Sequence, residues 1–421
     1  MASAAECAAG PADPTRPETM SWPWRKDGLG RFDVVIAGGA VVGSAVAYFL
    51  ASHPRFAGRV LVVERDPSYR DCATTRSAAS IRHQFSTPEN IRLSMAGTAF
   101  LRQAEQWLAV DGQAPGLAFR EQGYLFLAGA AGLATLQANH AVQRAQGAEV
   151  ALLDRQALAQ RFDWLHTDDL AGGSLGLAGE GWLDAHALLQ GFKRRAQSLG
   201  VTYRQGTVAA FERSGSRITA VQLADGERIA CGWAVNTAGT GAAALAASAG
   251  IELPVRARKR CVFHFRSPAD LPGCGLVVDP TGVWFRPEGT GFIAGVAPPD
   301  EQDPDVALDD FDVDHALFDE VVWPTLATRV PGFEALRLLS SWAGHYDVNL
   351  LDANVIVGPH PAVDNLLFAN GFSGHGLQQS PGVGRALAEW IVDGGWQTID
   401  LTALGWQRVI DGRPLLEQAV V

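Results

Sequence analysis

The most informative pattern in the chain is an apolar run at residues 34–51 that glycines interrupt in its middle. The run is long and uncharged enough to resemble a membrane span. However, its glycines lie where a continuous helix would be weakened, with β-branched residues before them and helix formers after them. The pattern therefore predicts a buried strand at 32–37, a tight turn at 38–43 and a helix at 44–52.

A second valine-rich run at 59–64 completes a strand–helix–strand unit of the length that a nucleotide-binding crossover needs. Periodicity of the helical type predicts further helices at 88–111, 133–147 and 185–199, the last with Asp184 as its N-cap. The remaining patterns predict strands at 123–128 and 200–204, a β-meander at 207–230, and a buried strand and turn at 234–239. A mostly antiparallel sheet is predicted at 255–345, with one helix near 314–328. A strand at 366–370 is then followed by a glycine-rich turn and a helix to about 393.

The nucleotide-binding elements stand at the start, middle and end of the chain, with the sheet-rich segments between them. This order predicts an α/β fold with two interleaved lobes, of the α+β kind, rather than two domains that follow one another along the chain. We expect a discontinuous Rossmann-type domain at 31–112, 172–250 and 346–415. The mostly antiparallel β-sheet substrate domain is expected at 113–171 and 251–345.

Composition narrows the class of protein. The net charge of −11 and the absence of a strongly basic stretch argue against nucleic acid or an anionic membrane as a partner. The five cysteines include no CxxC pair, which argues against a metal site and favours reduced thiols in the cytoplasm. Residues 1–30 contain four prolines and no continuous apolar region, so we interpret them as a flexible tail and not as a signal peptide. No transmembrane segment is expected.

The turn between the first strand and helix reads Gly38-Gly39-Ala40-Val41-Val42-Gly43. In a G-x-G-x-x-G turn the glycines allow the bend, the approach of a pyrophosphate and the close packing of helix on strand. Ala40 replaces the second glycine, and its methyl group is expected to weaken binding roughly tenfold to hundredfold unless Gly39 lets the loop shift. Glu64, which ends the second strand, is the acidic residue expected to bind the adenosine ribose.

Five further segments occur in order: VVERD (62–66), TTRSAASIRHQFSTPENIRLS (74–94), NTAGTGAAALAASAGI (236–251), SWAGHYD (341–347) and GFSGHGLQQSPGVGRALAEWI (371–391). Together with the glycine turn they resemble the D-amino-acid oxidase and sarcosine oxidase superfamily of flavoproteins, over about residues 31–412. Within it they are similar to the branch of FAD-dependent oxidoreductase-domain proteins linked to assembly of respiratory complex I, and to its bacterial relatives.

The resemblance implies FAD as the cofactor. It implies a non-covalent complex, because 344–347 contains no cysteine and 71–76 no histidine. A helix N-terminus at the glycine-rich turn near 374 would favour the negative charge of the reduced flavin. Besides the turn and Glu64, the resemblance assigns to FAD the residues Arg65, Thr75, Arg76, Ser77, Val208, Asn236, Ala238, Gly239, Gly374, His375, Gly376, Leu377 and Gln378.

Oxidation of an amine by flavin needs a neutral amine, a C–H bond directed at flavin N5 and a dry site. A substrate carboxylate would need a cation, preferably arginine. Arg82 is the first candidate, because it falls at the carboxylate-binding arginine of the sarcosine oxidase I-R-H motif, followed by His83; the alternative is a structural ion pair. Arg286 is the second candidate.

His345 and Tyr346 are candidates to face the flavin, with packing in the sheet lobe as the alternative. Two positions depart from the related oxidases. Sarcosine oxidases have lysine where Gln378 stands, and glycine oxidase has arginine where Tyr346 stands. Both departures point away from sarcosine or glycine and toward a larger or less charged amine.

The expected function is oxidation of the CH–NH bond of an amino acid or N-alkylated amino acid by hydride transfer to flavin N5. The resulting imine would hydrolyse, and oxygen, a quinone or a partner flavoprotein would accept the electrons. Two alternatives stay open. The chain could be an FAD-binding assembly factor with little turnover, or the catalytic subunit of a larger amine dehydrogenase complex.

Overall fold

The computed structural model describes residues 31–299 and 302–418. The predicted tail at 1–30 lies outside the described residues. The strands are β1 (Arg31–Ala37), β2 (Val60–Glu64), β3 (Ser80–Ile81), β4 (Tyr124–Ala128), β5 (Val150–Asp154), β6 (Gly172–Gly176), β7 (Gly181–Trp182), β8 (Thr202–Gln205), β9 (Val208–Ser214), β10 (Arg217–Leu223), β11 (Arg228–Asn236), β12 (Val255–Arg266), β13 (Leu276–Val278), β14 (Trp284–Glu288), β15 (Gly291–Gly295), β16 (Arg337–Asn349), β17 (Ile356–His360) and β18 (Val363–Asn370). The helices are α1 (Val41–Ser52), α2 (Pro88–Trp107), α3 (Leu133–Ala145), α4 (Arg155–Arg161), α5 (Ala185–Ser198), α6 (Ala242–Ala247), α7 (His315–Leu317), α8 (Trp323–Arg329), α9 (Gly376–Asp393) and α10 (Trp406–Ile410).

The first sheet has the strand order β17-β18-β11-β1-β2-β8, with β10 and β9 attached to β11. The strands from β18 to β8 run parallel, and β17 pairs antiparallel to β18. β1 and β2 are valine-rich and buried, as parallel strands covered on both faces must be. On one face α1 packs against α5 and α9. This is the predicted Rossmann-type arrangement.

The second sheet has the order β16-β12-β15-β14-β13-β4-β6-β5. Every neighbouring pair is antiparallel except β13 and β4, so the mostly antiparallel sheet is confirmed. Its core is rich in phenylalanine and lies under the segment from α7 to α8, which passes through one π-helical turn. β6 belongs to this sheet although 172–250 was assigned to the other domain, and the domain boundaries stay a prediction.

The boundaries of several elements differ from those predicted. α1 begins at Val41 and not at 44, because the extended Ala40 already accepts the first helical hydrogen bond, from the amide of Ser44. α2 ends at Trp107, before 111. The predicted Asp184 cap is confirmed, since its carboxylate accepts from the amide of Ala187 at 2.8 Å. In the part of the chain that the structure describes, no helix combines the length and apolar character that crossing a bilayer requires.

A buried arginine ties α8 to the strands of the second sheet. The Arg329 side chain is 4% exposed, and its Nε donates to Asp279 Oδ2 at 2.7 Å. Its two terminal nitrogens donate to the Asp169 carboxylate at 2.8 Å each, and Nη1 also donates to the carbonyl of His166 at 2.6 Å. Removing the guanidinium would leave the buried Asp279 carboxylate without its cation, whereas the Asp169 side chain is largely exposed.

We expect Arg329→Met to lower the free energy of unfolding by about 3–5 kcal/mol, because Asp279 would stay buried without its cation. The matched control is Arg155→Met, whose exposed ion pair with Asp168 spans 3.8 Å; it should cost less than about 1 kcal/mol. Urea unfolding followed by circular dichroism measures both. Equal effects of the two substitutions would contradict this account of the cluster.

Candidate functional site

The glycine turn joins β1 to α1 in a conformation that side chains would obstruct. Gly38 has φ +99, and a Cβ there would lie 2.4 Å from the carbonyl oxygen of Thr237. A Cβ on Gly43 would lie 1.9 Å from the carbonyl oxygen of Gly38. These two glycines let the start of α1 pack directly on the turn. Ala40, in contrast, has φ −66, which any residue adopts, and its side chain packs against the apolar cluster around α1.

A cavity of about 340 Å³ opens at this turn. Ala40 provides no side-chain cap for α1, and among the described residues the amide of Val41 has one long hydrogen bond, to Thr74 Oγ1 at 3.4 Å. Uncapped amides at a helix N-terminus form a ready anion site. The predicted cofactor residues that line this cavity are Gly38, Ala40, Glu64, Arg65, Val208, Ala238 and Gly239.

Glu64 is fixed at the cavity edge. Its Oε2 accepts from the amide of Gly39 at 2.7 Å, and its Oε1 accepts from the amide of Asp66 at 2.9 Å. A carboxylate held in this way keeps lone pairs for further donors such as ribose hydroxyls. This end of the cavity fits the ADP part of FAD. It combines the uncapped start of α1, glycines at which a Cβ would clash with the backbone, and the fixed carboxylate of Glu64.

A narrower cavity of about 60 Å³ shares Ala73 and His345 with the first. Arg76, Ser77 and Tyr346 also line it. Arg76 donates to the carbonyl of Ala343 at 2.7 Å and bonds to Asp71.

An acidic loop at 302–314 covers the junction of these two cavities. Leu308 of this loop lines the first cavity. His345 Nε2 donates to the carbonyl of Asp310 at 2.6 Å, and Phe311 stacks on the His345 ring with 4.4 Å between centroids. Ion pairs hold the loop against β12, including one between Arg260 and Asp303. The imidazole of His345 therefore holds the acidic loop in place over the two cavities.

A third cavity, of about 100 Å³, shares Ser77, Ala78, Trp284 and Tyr346 with the second. The three cavities are thus adjacent, and together they make up a cleft from the glycine turn into the second sheet. The predicted residues lining its inner end are Ser77, Arg82, Tyr346, Gly374, His375, Leu377 and Gln378.

Arg82 gives the inner cavity its charge. The residue is 6% exposed, and its guanidinium meets no carboxylate within 4.0 Å among the described residues. Nη2 donates to His375 Nε2 at 3.0 Å, and the guanidinium carbon lies 4.4 Å from the ring centre of Phe85. Burial and the charge of Arg82 lower the pKa of His375 to about 3, so its imidazole is neutral. Arg82 is thus a buried cation that no carboxylate of the described residues contacts directly.

The turn before α9 is built around Tyr346. Gly374 has φ +99, and a Cβ there would lie 2.5 Å from the Tyr346 ring. Asp347 Oδ2 accepts from the amide of Gly371 at 2.8 Å and ties β16 to this turn. Burial raises the pKa of Asp347 to about 6. The N-terminus of α9 is thereby placed at the inner cavity.

Several predicted residues lie outside the cleft. His83 follows Arg82 in extended backbone, where successive side chains point to opposite sides, so its ring points away from the cavity that Arg82 lines. The ring bonds to Thr98 Oγ1 at 2.8 Å. Arg286 donates to the carbonyls of Ala78 and Pro287 and to Glu288, so each of its three nitrogens already has an acceptor within the protein.

The remaining predicted residues outside the cleft have supporting positions. Thr75 is exposed and faces His186, while its neighbour Thr74 meets the glycine turn. Asn236 holds the turn after β11 by accepting from the amide of Ala238 at 3.2 Å. Gly39, Val42, Gly43 and Gly376 shape the backbone without lining a cavity.

The sequence did not indicate three residues in or directly behind the cleft. Tyr124 and Trp284 line the inner cavity, and Glu180 lies buried behind Arg82. Tyr124 and Trp284 come from strands that read only as sheet, so no local motif marks them. A signal for Glu180 existed in the glycines at 176, 179 and 181. No group of three or more potential metal ligands occurs in residues 31–299 and 302–418.

The family model described as "DAO: FAD dependent oxidoreductase" matches residues 33–390. The chain is 42% identical to FAD-dependent oxidoreductase domain-containing protein 1 of Xenopus laevis, in an alignment covering 93% of this chain and 85% of that protein.

Solved structures share the fold. L-Proline dehydrogenase from P. horikoshii aligns with a TM-score of 0.80 and 23% identity, covering 91% of this chain and 99% of that one. Glycine oxidase from Geobacillus kaustophilus aligns with a TM-score of 0.77 and 23% identity, covering 90% and 98%. With the cleft that fits FAD, these findings establish that the chain belongs to the DAO family of FAD-dependent oxidoreductases.

Proposed function

We propose that this oxidoreductase oxidises the CH–NH bond of an amino acid or N-alkylated amino acid. The observation that carries the proposal is Arg82, a buried cation that lines the inner cavity and contacts no carboxylate among residues 31–299 and 302–418. A buried charge is costly unless it is paired, so the arrangement favours an anionic ligand. A substrate carboxylate meets that need.

The outer cleft would hold FAD at the glycine turn, Glu64 and the turn at Ala238 and Gly239. When bound, FAD supplies the two-electron acceptor for the C–H bond next to nitrogen. The absence of a covalent link to FAD stays a prediction. Acid precipitation checks it, because a non-covalent flavin would stay in the supernatant.

The residues of the inner cavity orient the substrate and exclude water. Arg82 would bind the carboxylate, and Tyr124, Trp284 and Tyr346 supply aromatic surface around the rest of the molecule. Burial raises the pKa of Tyr124 to about 12, so its hydroxyl stays neutral. With His375 also neutral, this wall adds no second cation, which suits a substrate that enters with one carboxylate and a neutral amine.

Gln378 supports this selectivity. Its Oε1 accepts from the backbone amide of Arg82 at 2.7 Å, so the side chain holds Arg82 in place. Tyr346 presents a ring packed against Gly374. A site with one cation and an aromatic wall favours an amine with an apolar N-substituent or side chain over sarcosine or glycine.

We expect Gly43→Ala to abolish FAD binding, because the added methyl group would overlap the carbonyl of Gly38 and open the turn. Ala40→Gly is the matched variant on the same loop. It should retain FAD, with a dissociation constant at or below that of wild type, since Ala40 is unstrained and the change only removes a methyl group that lines the cavity. Quenching of flavin fluorescence during reconstitution measures both. Retention of FAD by Gly43→Ala would contradict the role of the turn.

We expect Arg82→Ala to raise KM for the amine roughly 30-fold to 1000-fold, the effect of removing about 2–4 kcal/mol of charged hydrogen bonding. FAD content should not change, because Arg82 lines only the inner cavity. The control is Arg102→Gln, since that arginine pairs with Glu121 at the surface. Steady-state kinetics measure the effects, and an unchanged KM in Arg82→Ala would remove Arg82 from the site.

The neutral Gln378 and Tyr346 also motivate a second candidate, an FAD-binding assembly factor with little turnover. Affinity capture of the FAD-loaded protein from its native host separates the two. A stoichiometric partner together with flavin that no amine reduces would favour the assembly role. Efficient reduction by an amine without a stable partner would exclude it.

A further inference from the structure

A carboxyl group lies fully buried behind Arg82. Glu180 stands between β6 and β7 and is 0% exposed. Its Oε1 accepts from the amides of His83 at 2.5 Å and Gln84 at 3.1 Å, and its Oε2 accepts from Gln84 Nε2 at 2.8 Å. These donors belong to the two residues that directly follow Arg82.

The surrounding chain leaves room for this carboxyl group. A Cβ on Gly176 would lie 1.7 Å from Glu180 Oε2. Gly179 has φ +78, and a Cβ there would lie 2.3 Å from the His83 ring. Two glycines are therefore required for Glu180 to reach the backbone beside Arg82.

The backbone of Arg82 is held from two further directions. Its amide donates to Gln378 Oε1 at 2.7 Å, and its carbonyl accepts from Ser94 Oγ at 2.6 Å. Glu180 accepts from the amides of His83 and Gln84. The backbone amides of residues 82–84 are therefore all hydrogen-bonded, which fixes the direction in which the Arg82 side chain leaves the backbone. Gln84 Oε1 is buried without a partner among the described residues, which leaves one spare acceptor in the cluster.

Burial raises the pKa of Glu180 to about 7, against the opposing effects of its hydrogen bonds and of Arg82. The other titratable groups around it keep one charge state in the neutral range. Burial lowers the pKa of His83 to about 4 and raises that of Tyr124 to about 12. The nearest outer charges, Arg102 and Glu121, form an ion pair.

Two other titratable groups line the cavities and have hydrogen-bond partners other than Glu180. The neutral His375 accepts from Arg82 on the cavity side. Asp347, with its pKa raised to about 6, titrates in a similar range but bonds to the turn before α9 and lines the outer cavity. Its contribution is separable from that of Glu180 by substitution.

We propose that Glu180 is a positioning residue whose protonation state sets the affinity of Arg82 for the substrate carboxylate. The ionised carboxylate partly neutralises Arg82, whereas the protonated acid leaves its charge free for the ligand. Anionic ligands therefore bind more tightly below the neutral range and more weakly above it. This inference rests on the proposed function, because it needs a carboxylate at Arg82.

The test uses FAD-loaded protein and a ligand that cannot be oxidised, so that ionisation of the substrate amine plays no part. Benzoate is the probe and benzamide its neutral counterpart, with binding followed by flavin absorbance between about pH 5.5 and 8.5, where benzoate stays ionised. In the wild type we expect the dissociation constant of benzoate to rise about tenfold across this range, equivalent to one pKa unit of coupling. Binding of benzamide should not follow pH.

Glu180→Gln should bind benzoate with one affinity at all pH values, near that of the wild type at low pH, because the amide resembles the protonated acid. Glu121→Gln is the matched control, since Glu121 accepts from the amide of Gly179 at the surface of the same loop; it should keep the pH dependence. A dependence that persists in Glu180→Gln overturns the inference and leaves Arg82 as the anion site. Failure of wild-type protein to bind benzoate overturns both the inference and the proposed function.

A second measurement does not depend on the stability of the variant. Linkage is reciprocal, so a carboxylate bound at Arg82 must favour protonation of Glu180. Infrared difference spectra of wild-type protein near neutral pH should gain a protonated-carboxyl C=O band when benzoate binds. The absence of any such gain contradicts the proposal.

Discussion

The site depends on one buried cation that no carboxylate contacts directly in the part of the chain that the structure describes. Removing a guanidinium from water costs several kcal/mol unless other groups compensate it. Here aromatic faces and a neutral imidazole surround Arg82. The adjoining backbone donates to Gln378 and Glu180 and accepts from Ser94. These groups come from distant parts of the chain, so the final packing of both sheets is required before Arg82 is in place.

The two sheets line different parts of the cleft. The parallel sheet brings the glycine turn, Glu64 and the turn after β11 together at the carboxyl ends of its strands, where ligands bind in folds of this type. The antiparallel sheet supplies the aromatic wall at the inner end. β16 connects the two parts, because His345 faces the junction of the outer cavities and Tyr346 reaches the inner one.

Local sequence patterns predicted the parts of the fold that local physics determines. The strand, turn and helix from β1 to α1 could be read from glycine spacing and β-branched residues, and the Asp184 cap from its residue type. The same reasoning could not place Arg286, because its guanidinium is taken up by the carbonyl of Ala78, far away in sequence. Nor did it identify Glu180: the glycines at 176, 179 and 181 indicate close packing, but the partners of Glu180 become its neighbours only when β6 and β7 pack beside Arg82.

An anaerobic titration of the FAD-loaded protein with N-alkylated and D- or L-amino acids, followed by the absorption of oxidised flavin, tests the central claim most directly. The account predicts that amines carrying one carboxylate bleach the flavin, and that their amide counterparts do so far more weakly. Flavin that no member of the panel reduces would contradict amine oxidation as the function of this site.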